Sequence, residues 1–178
     1  MHRDRRPLTA GWLLGALFLA ALLAACSSSG PGPLGQGGTD AEQCMDYPVG
    51  QPVAAGIYDL TNTGDSPVTI QSVTLPDAHG LAVTKTWLVP IYHDPKTGNW
   101  LDVGAGAPFP PTTSPQWVQR RPAIGGVIRP RQDLNLVFGL TRTTAKAGRS
   151  PGPVIAYTAG GSSYTVKMKT SLVVAATC

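Results

Sequence analysis

The chain reads as an all-β sandwich of about seven strands, and three observations predict it. Leu134, Leu136, Phe138 and Leu140 alternate with other residues, which puts four apolar side chains on one face of a strand. Tyr164, Val166 and Met168 alternate in the same way with Thr165, Lys167 and Lys169. Beyond residue 25, no 11-residue window sustains the 3.6-residue period of an amphipathic helix, while 21 glycines and 17 prolines supply turns.

In chain order, residues 57–62 and 68–75 are β-branched and apolar, and they flank Thr63-Gly64-Asp65-Ser66-Pro67, a turn signal between two strands. Pro67 suits the first position of a strand, where no ladder N–H is needed. Residues 81–89 give a further strand through Leu81, Val83, Trp87 and Val89. A hairpin closes the chain, with arms 153–159 and 164–174 around Gly160-Gly161-Ser162-Ser163. Between the strands lies an irregular insertion, residues 90–130, with eight of the seventeen prolines and four aromatics, Tyr92, Trp100, Phe109 and Trp117. Connections this long are functional or disordered more often than not, and aromatic content argues for order. Two ordered readings stay open. Trp100 and Trp117 either stack on a sugar or an apolar partner, or fold back to cap the core. Asp94-Pro95-Lys96-Thr97-Gly98-Asn99 is a tight hairpin turn within the insertion.

The stretch Leu60-Thr61-Asn62-Thr63-Gly64-Asp65-Ser66-Pro67-Val68-Thr69-Ile70 resembles the first hairpin of immunoglobulin-like domains in bacterial envelope proteins. There, a leucine-x-asparagine strand ends at a glycine-containing turn and proline-valine opens the next strand. The resemblance implies an immunoglobulin-like sandwich and no particular activity. Residues 160–178 are similar to the last strands of small actinobacterial lipoproteins of unknown function, where a tyrosine-bearing strand runs to a C-terminal cysteine. Neither likeness carries over a functional residue.

The N-terminus has a basic start (Arg3, Arg5, Arg6), an apolar stretch from Gly11 to Ala25 and the small-residue sequence Leu23-Ala24-Ala25-Cys26. This is the three-part layout of a signal peptide, short for a permanent anchor, with a short transmembrane anchor and an incidental cysteine as the competing account. It resembles the lipobox of bacterial lipoproteins. That resemblance implies cleavage after residue 25, lipidation of Cys26 by acyl chains of the palmitate type, and residence at the extracytoplasmic face of the cell membrane. Two acyl chains hold a protein stably where one does not. Residues 26–41, rich in Ser, Gly and Pro with Leu34 as the one long aliphatic residue, read as a flexible tether. Residues 42–178 form the sandwich domain, which is large enough to hold a core unaided.

Of the remaining cysteines, Cys44 follows the tether and Cys178 ends the chain. Outside the cytosol such a pair reads as a disulfide, with a catalytic thiol or metal pair as the competing accounts. No Cys-x-x-Cys or adjacent histidine favours either competitor. Charge is split along the chain. Residues 26–118 hold eight acids against Lys85 and Lys96, and residues 119–178 hold nine bases against Asp133. If this basic set shares a face, with Arg120, Arg121, Arg129 and Arg131 as its candidate binding residues, it would attract anionic lipid headgroups or acidic envelope polymers. Alternatively, the two halves pair internally at little energetic gain. His79, His93, Asp77 and Asp94 fit no metal-ligand spacing, so neither a metal site nor a cofactor is assigned. No Gly-x-Ser-x-Gly, P-loop or dinucleotide-binding glycine pattern is present, so no enzyme is assigned. No nucleic-acid reader motif occurs. The expectation is a membrane-anchored binding or accessory module of the cell envelope. The alternative is a small-molecule or metal carrier using the 90–130 loops.

Overall fold

The computed structural model describes residues 32–36 and 40–178; the signal segment 1–25 and Cys26 lie outside the described residues. Among the described residues the chain forms fifteen strand segments, more than the seven expected, because the insertion contributes five short strands and three more, at residues 34–36, 42–46 and 148–150, form outside it. They are β1 (Leu34–Gln36), β2 (Glu42–Asp46), β3 (Pro52–Asn62), β4 (Val68–Thr74), β5 (Leu81–Pro90), β6 (Tyr92–His93), β7 (Trp100–Leu101) and β8 (Gly104–Pro108). After a 3₁₀ turn at Pro115–Gln119 come β9 (Arg121–Pro122), β10 (Val127–Ile128), β11 (Asp133–Arg142) and β12 (Gly148–Ser150). The chain ends with β13 (Val154–Ala159), β14 (Ser162–Lys167) and β15 (Ser171–Ala175).

Two sheets face each other. One has the order β1-β3-β11-β5-β9, with β8 also paired to β3; the other has the order β10-β4-β13-β14. Leu60, Leu88, Leu134, Leu136, Phe138 and Leu140 of the first sheet share one buried core with Val68, Ile70, Ile155, Tyr157 and Val166 of the second. A third sheet, β12-β15-β2, adds Met45, Leu172 and Val174 to that core. Cys44 and Cys178 form a disulfide.

Residues 57–62 and 68–75 are strands as the sequence predicts, but they do not form a hairpin. β3 belongs to the first sheet and β4 to the second, so Thr63–Pro67 is a corner that carries the chain between layers. Buried Asn62 builds it. Its Nδ2 donates to the carbonyls of Ser66 (2.9 Å) and Ile128 (3.0 Å), and its Oδ1 accepts from the Gly64 N–H (3.0 Å). An asparagine can satisfy both sides of a corner at once, which explains the residue in this position. The closing hairpin is tighter than the four-residue turn expected. Ala159 pairs with Ser162, and Gly160 and Gly161, at φ +55° and +81°, make a two-residue turn whose two left-handed positions suit glycine.

The tether reading fails at residues 34–36. β1 pairs antiparallel with β3, and Leu34 is buried in the core, its N–H donating to the Tyr157 hydroxyl (3.3 Å). Ala41 also accepts a hydrogen bond from the Ser171 N–H, so ordered structure begins before residue 42. The single aliphatic side chain in this polar stretch gains about 2 kcal/mol by leaving water, and the ladder to β3 and the Tyr157 bond add to it against the cost of ordering the three residues.

β11 carries the predicted alternation, and its four apolar residues face the core. Its other face is covered too. Val137 packs with Ala54, Val89 and Trp117 in a second cluster, so the insertion roofs the outside of the first sheet. Gly139 allows this. A Cβ there would stand 2.8 Å from the Phe109 ring and 2.4 Å from Thr84 Oγ1, and real side chains do not approach so closely. Buried Asn135 ties the insertion down. Its Oδ1 accepts from the Val103 N–H (3.2 Å), and its Nδ2 donates to Gly56 O and Asp59 Oδ1, both at 3.0 Å.

Burial raises the pKa of Asp59 and of Asp102, and each nearby carboxylate raises Asp59 further, against the lowering effect of the Asn135 bond. A carboxyl whose folded pKa is raised stabilises the fold when protonated, and that contribution is lost as pH rises through the folded value. Asp59→Asn should therefore raise the melting temperature at pH 7 and flatten its pH dependence from the ordinary carboxylate value of about 4 upward. Thermal scans across that window check this; an unchanged slope would contradict it.

Candidate functional site

The outer face of the first sheet carries an aromatic and cationic surface. The 3₁₀ turn drives Trp117, 4% exposed, onto the sheet between two other rings. Trp87 meets it edge-on at 5.9 Å and Phe109 at 5.7 Å. The Arg120 guanidinium lies over both tryptophans, 5.0 Å from Trp117 and 5.4 Å from Trp87, while its Nη1 donates to Trp117 O (3.1 Å). Lys85 Nζ approaches Trp87 at 6.0 Å. A groove of about 350 Å³ runs along this surface, lined by Pro52, Thr84, Lys85, Trp87, Phe109, Pro110, Trp117 and Arg120. Trp87 Nε1 is buried there with no hydrogen-bond partner among the described residues.

The surface borders an open sheet edge. β9 pairs only with Trp87 and Leu88, so among the described residues Leu81 to Lys85 have a strand partner in β11 alone. A second hollow, about 500 Å³, lies beside the same strand between Val73, Val83, Trp87, Ala123 and Ile124. A partner could meet main-chain groups, apolar walls and cations together.

The predicted site residues divide. Phe109, Trp117 and Arg120 come together; Tyr92 and Trp100 do not join them, and stand on the β6–β7 hairpin. The two tryptophans part company, and Trp117 folds back onto the outer face of the first sheet rather than over the open end of the core. Trp117 is buried against the sheet face, whereas Trp100 is 67% exposed and touches His93 at 4.8 Å. The predicted turn forms: Asp94 accepts from the Lys96 N–H and the Thr97 hydroxyl, both at 2.9 Å, and these bonds lower its pKa.

The four arginines do not act as one set. Arg121 Nη2 donates to Val127 O, and burial, then the charge of Arg129, lower the pKa of Arg121. Arg131 instead pairs with Asp65 at 3.2 Å. With Arg149–Glu42 at 3.1 Å and Lys169–Asp40 at 3.6 Å, the acidic and basic halves of the chain meet at three places. His79 forms a backbone bridge with Arg149 while His93 stands against Trp100. Trp87 and Lys85 were the site residues sequence reasoning passed over. Their i, i+2 spacing puts both on one strand face, but nothing local says that this face meets the insertion.

No protein-family model matches the chain, and no curated protein matches it. Among solved structures, the ASH/PapD-like domain of human CEP192 (PapD-like domain 7) is similar over 98% of this chain and 96% of its own, at 10% identity and a TM-score of 0.43. A structure of the Vibrio cholerae VesB protease is similar over 80% of this chain and 32% of its own, at 8% identity and a TM-score of 0.41. Scores this low carry no argument about function.

Proposed function

We propose that the protein is a lipid-anchored, extracytoplasmic binding module of the cell envelope, with an immunoglobulin-like sandwich, that meets an envelope protein or anionic polymer through the Trp87–Trp117–Arg120 face. The observation that carries the contact surface is the groove itself, where Lys85 and Arg120 have no ion-pair partner among the described residues and stand over aromatic walls beside an open strand edge. A cation held on a ring face keeps its charge available to an anionic group while the rings supply apolar contact. The lipobox supports the location, and the Cys44–Cys178 disulfide suits an oxidising compartment.

Crosslinking the lipidated protein in its own envelope, beside a Lys85→Glu/Arg120→Glu variant, tests the reading. One dominant partner, lost in the variant at unchanged melting temperature, is the expected result. Equal capture by both proteins would overturn the assigned face, and release of the wild-type protein from membranes would overturn the anchor. Cys26→Ala should leave the protein off the membrane.

A further inference from the structure

We infer that the β6–β7 hairpin is a membrane-docking tip that inserts Tyr92, Trp100 and Leu101 into the bilayer interface and sets the orientation of the anchored domain. The inference rests on the proposed lipid anchor at Cys26, and two features of the fold carry it further. The first is reach. Gly32 lies six positions after Cys26, and six fully extended residues span at most about 21 Å. The docking of β1, against the expectation of a long free tether, therefore holds the domain close to the lipid surface.

The second is which end faces that surface. β1 runs antiparallel to β3 with Leu34 opposite Asn62, so the chain from the lipid enters at the C-terminal end of β3. Asp133 pairs with Thr61 at that end, and the neighbouring Leu134 pairs with Pro90. β5 thus leaves the sheet at the end where β1 enters, and the hairpin follows directly. Its exposed apolar groups are large: Trp100 at 67%, Tyr92 at 49% and Leu101 at 44%. Tryptophan and tyrosine settle at headgroup level, with rings in the apolar boundary and polar atoms in water. Lys96 balances Asp94 at the tip, and Asp102 after Leu101 leaves residues 92–102 with one net negative charge, so attraction to the bilayer comes from the rings and not from charge. The opposite end of β5, from Leu81 to Lys85, pairs with the far end of β11 and is left facing away from the membrane, open to a partner.

The mature chain has three tryptophans, Trp87, Trp100 and Trp117. The lipidated full-length mature protein, bound to phosphatidylcholine vesicles with brominated acyl chains, should show quenched emission in low and high salt. Trp100→Phe should remove nearly all of that quenching while the protein still floats with the vesicles. Flotation with no quenching, or with equal quenching in Trp100→Phe, overturns the docking tip and leaves the anchor standing. Failure of the lipidated wild-type protein to float removes the anchor, and the inference with it.

Discussion

Trp117→Ala should cost about 3–5 kcal/mol of unfolding free energy, the range for truncating a large buried aromatic side chain. Trp117 closes the second core cluster with Ala54, Val89 and Val137, and the rings of Trp87 and Phe109 both lean on it. Its loss also takes one of the two aromatic faces from under Arg120. The 3₁₀ turn that carries it contributes little stability of its own, so the outer layer cannot close over the gap without moving Pro115–Gln119. Trp100→Ala is the matched control. At 67% exposure it should shift stability by no more than about 0.5 kcal/mol. Denaturant titration of both variants decides: similar effects would mean that Trp117 does not hold the insertion to the sheet.

The features legible in the sequence were those set by neighbours in the chain. Alternation placed Leu134, Leu136, Phe138 and Leu140 on one face, and adjacent glycines marked the closing turn, because side-chain period and left-handed backbone are local properties. Asp94 likewise folds its own turn through bonds within three residues. What could not be read locally was pairing across the fold. The Asn62 corner and a hairpin turn have the same local composition, and only the distant carbonyl of Ile128 separates them. Leu34 became a strand through β3 and Tyr157, far along the chain.

The site was half legible for the same reason. Aromatic content marked the insertion, and Phe109, Trp117 and Arg120 are indeed neighbours there. Sequence order could not say that the insertion covers the outer face of β5 and β11, so Trp87 stayed hidden within an ordinary strand. Nor could it pair charges: Asp65 finds Arg131, and Glu42 finds Arg149, across the whole domain. The segregation of acids and bases along the chain therefore overstated the segregation in space.

Replacing Cys44 and Cys178 by alanine should lower stability by about 3–5 kcal/mol and leave a folded protein. The two residues are 134 positions apart, so the bond closes nearly the whole domain, and loop-closure entropy for such a span amounts to about 5 kcal/mol at the upper end. The native contacts around the bond remain without it. β15 lies parallel to β2, with Val173 opposite Cys44, and the Tyr47 N–H still donates to Ala175 O at 2.8 Å. Leu172 and Val174 stay in the core. The loss should therefore fall mainly on the unfolded state, as a drop in melting temperature of about 10 °C with the native far-ultraviolet spectrum preserved at low temperature. Reduction of the wild-type protein should reproduce the drop, since it removes the same constraint without changing a side chain. A melting temperature within about 2 °C of wild type would mean that the β2–β15 pairing already fixes the chain terminus and that the unfolded chain gains little freedom when the bond is cut.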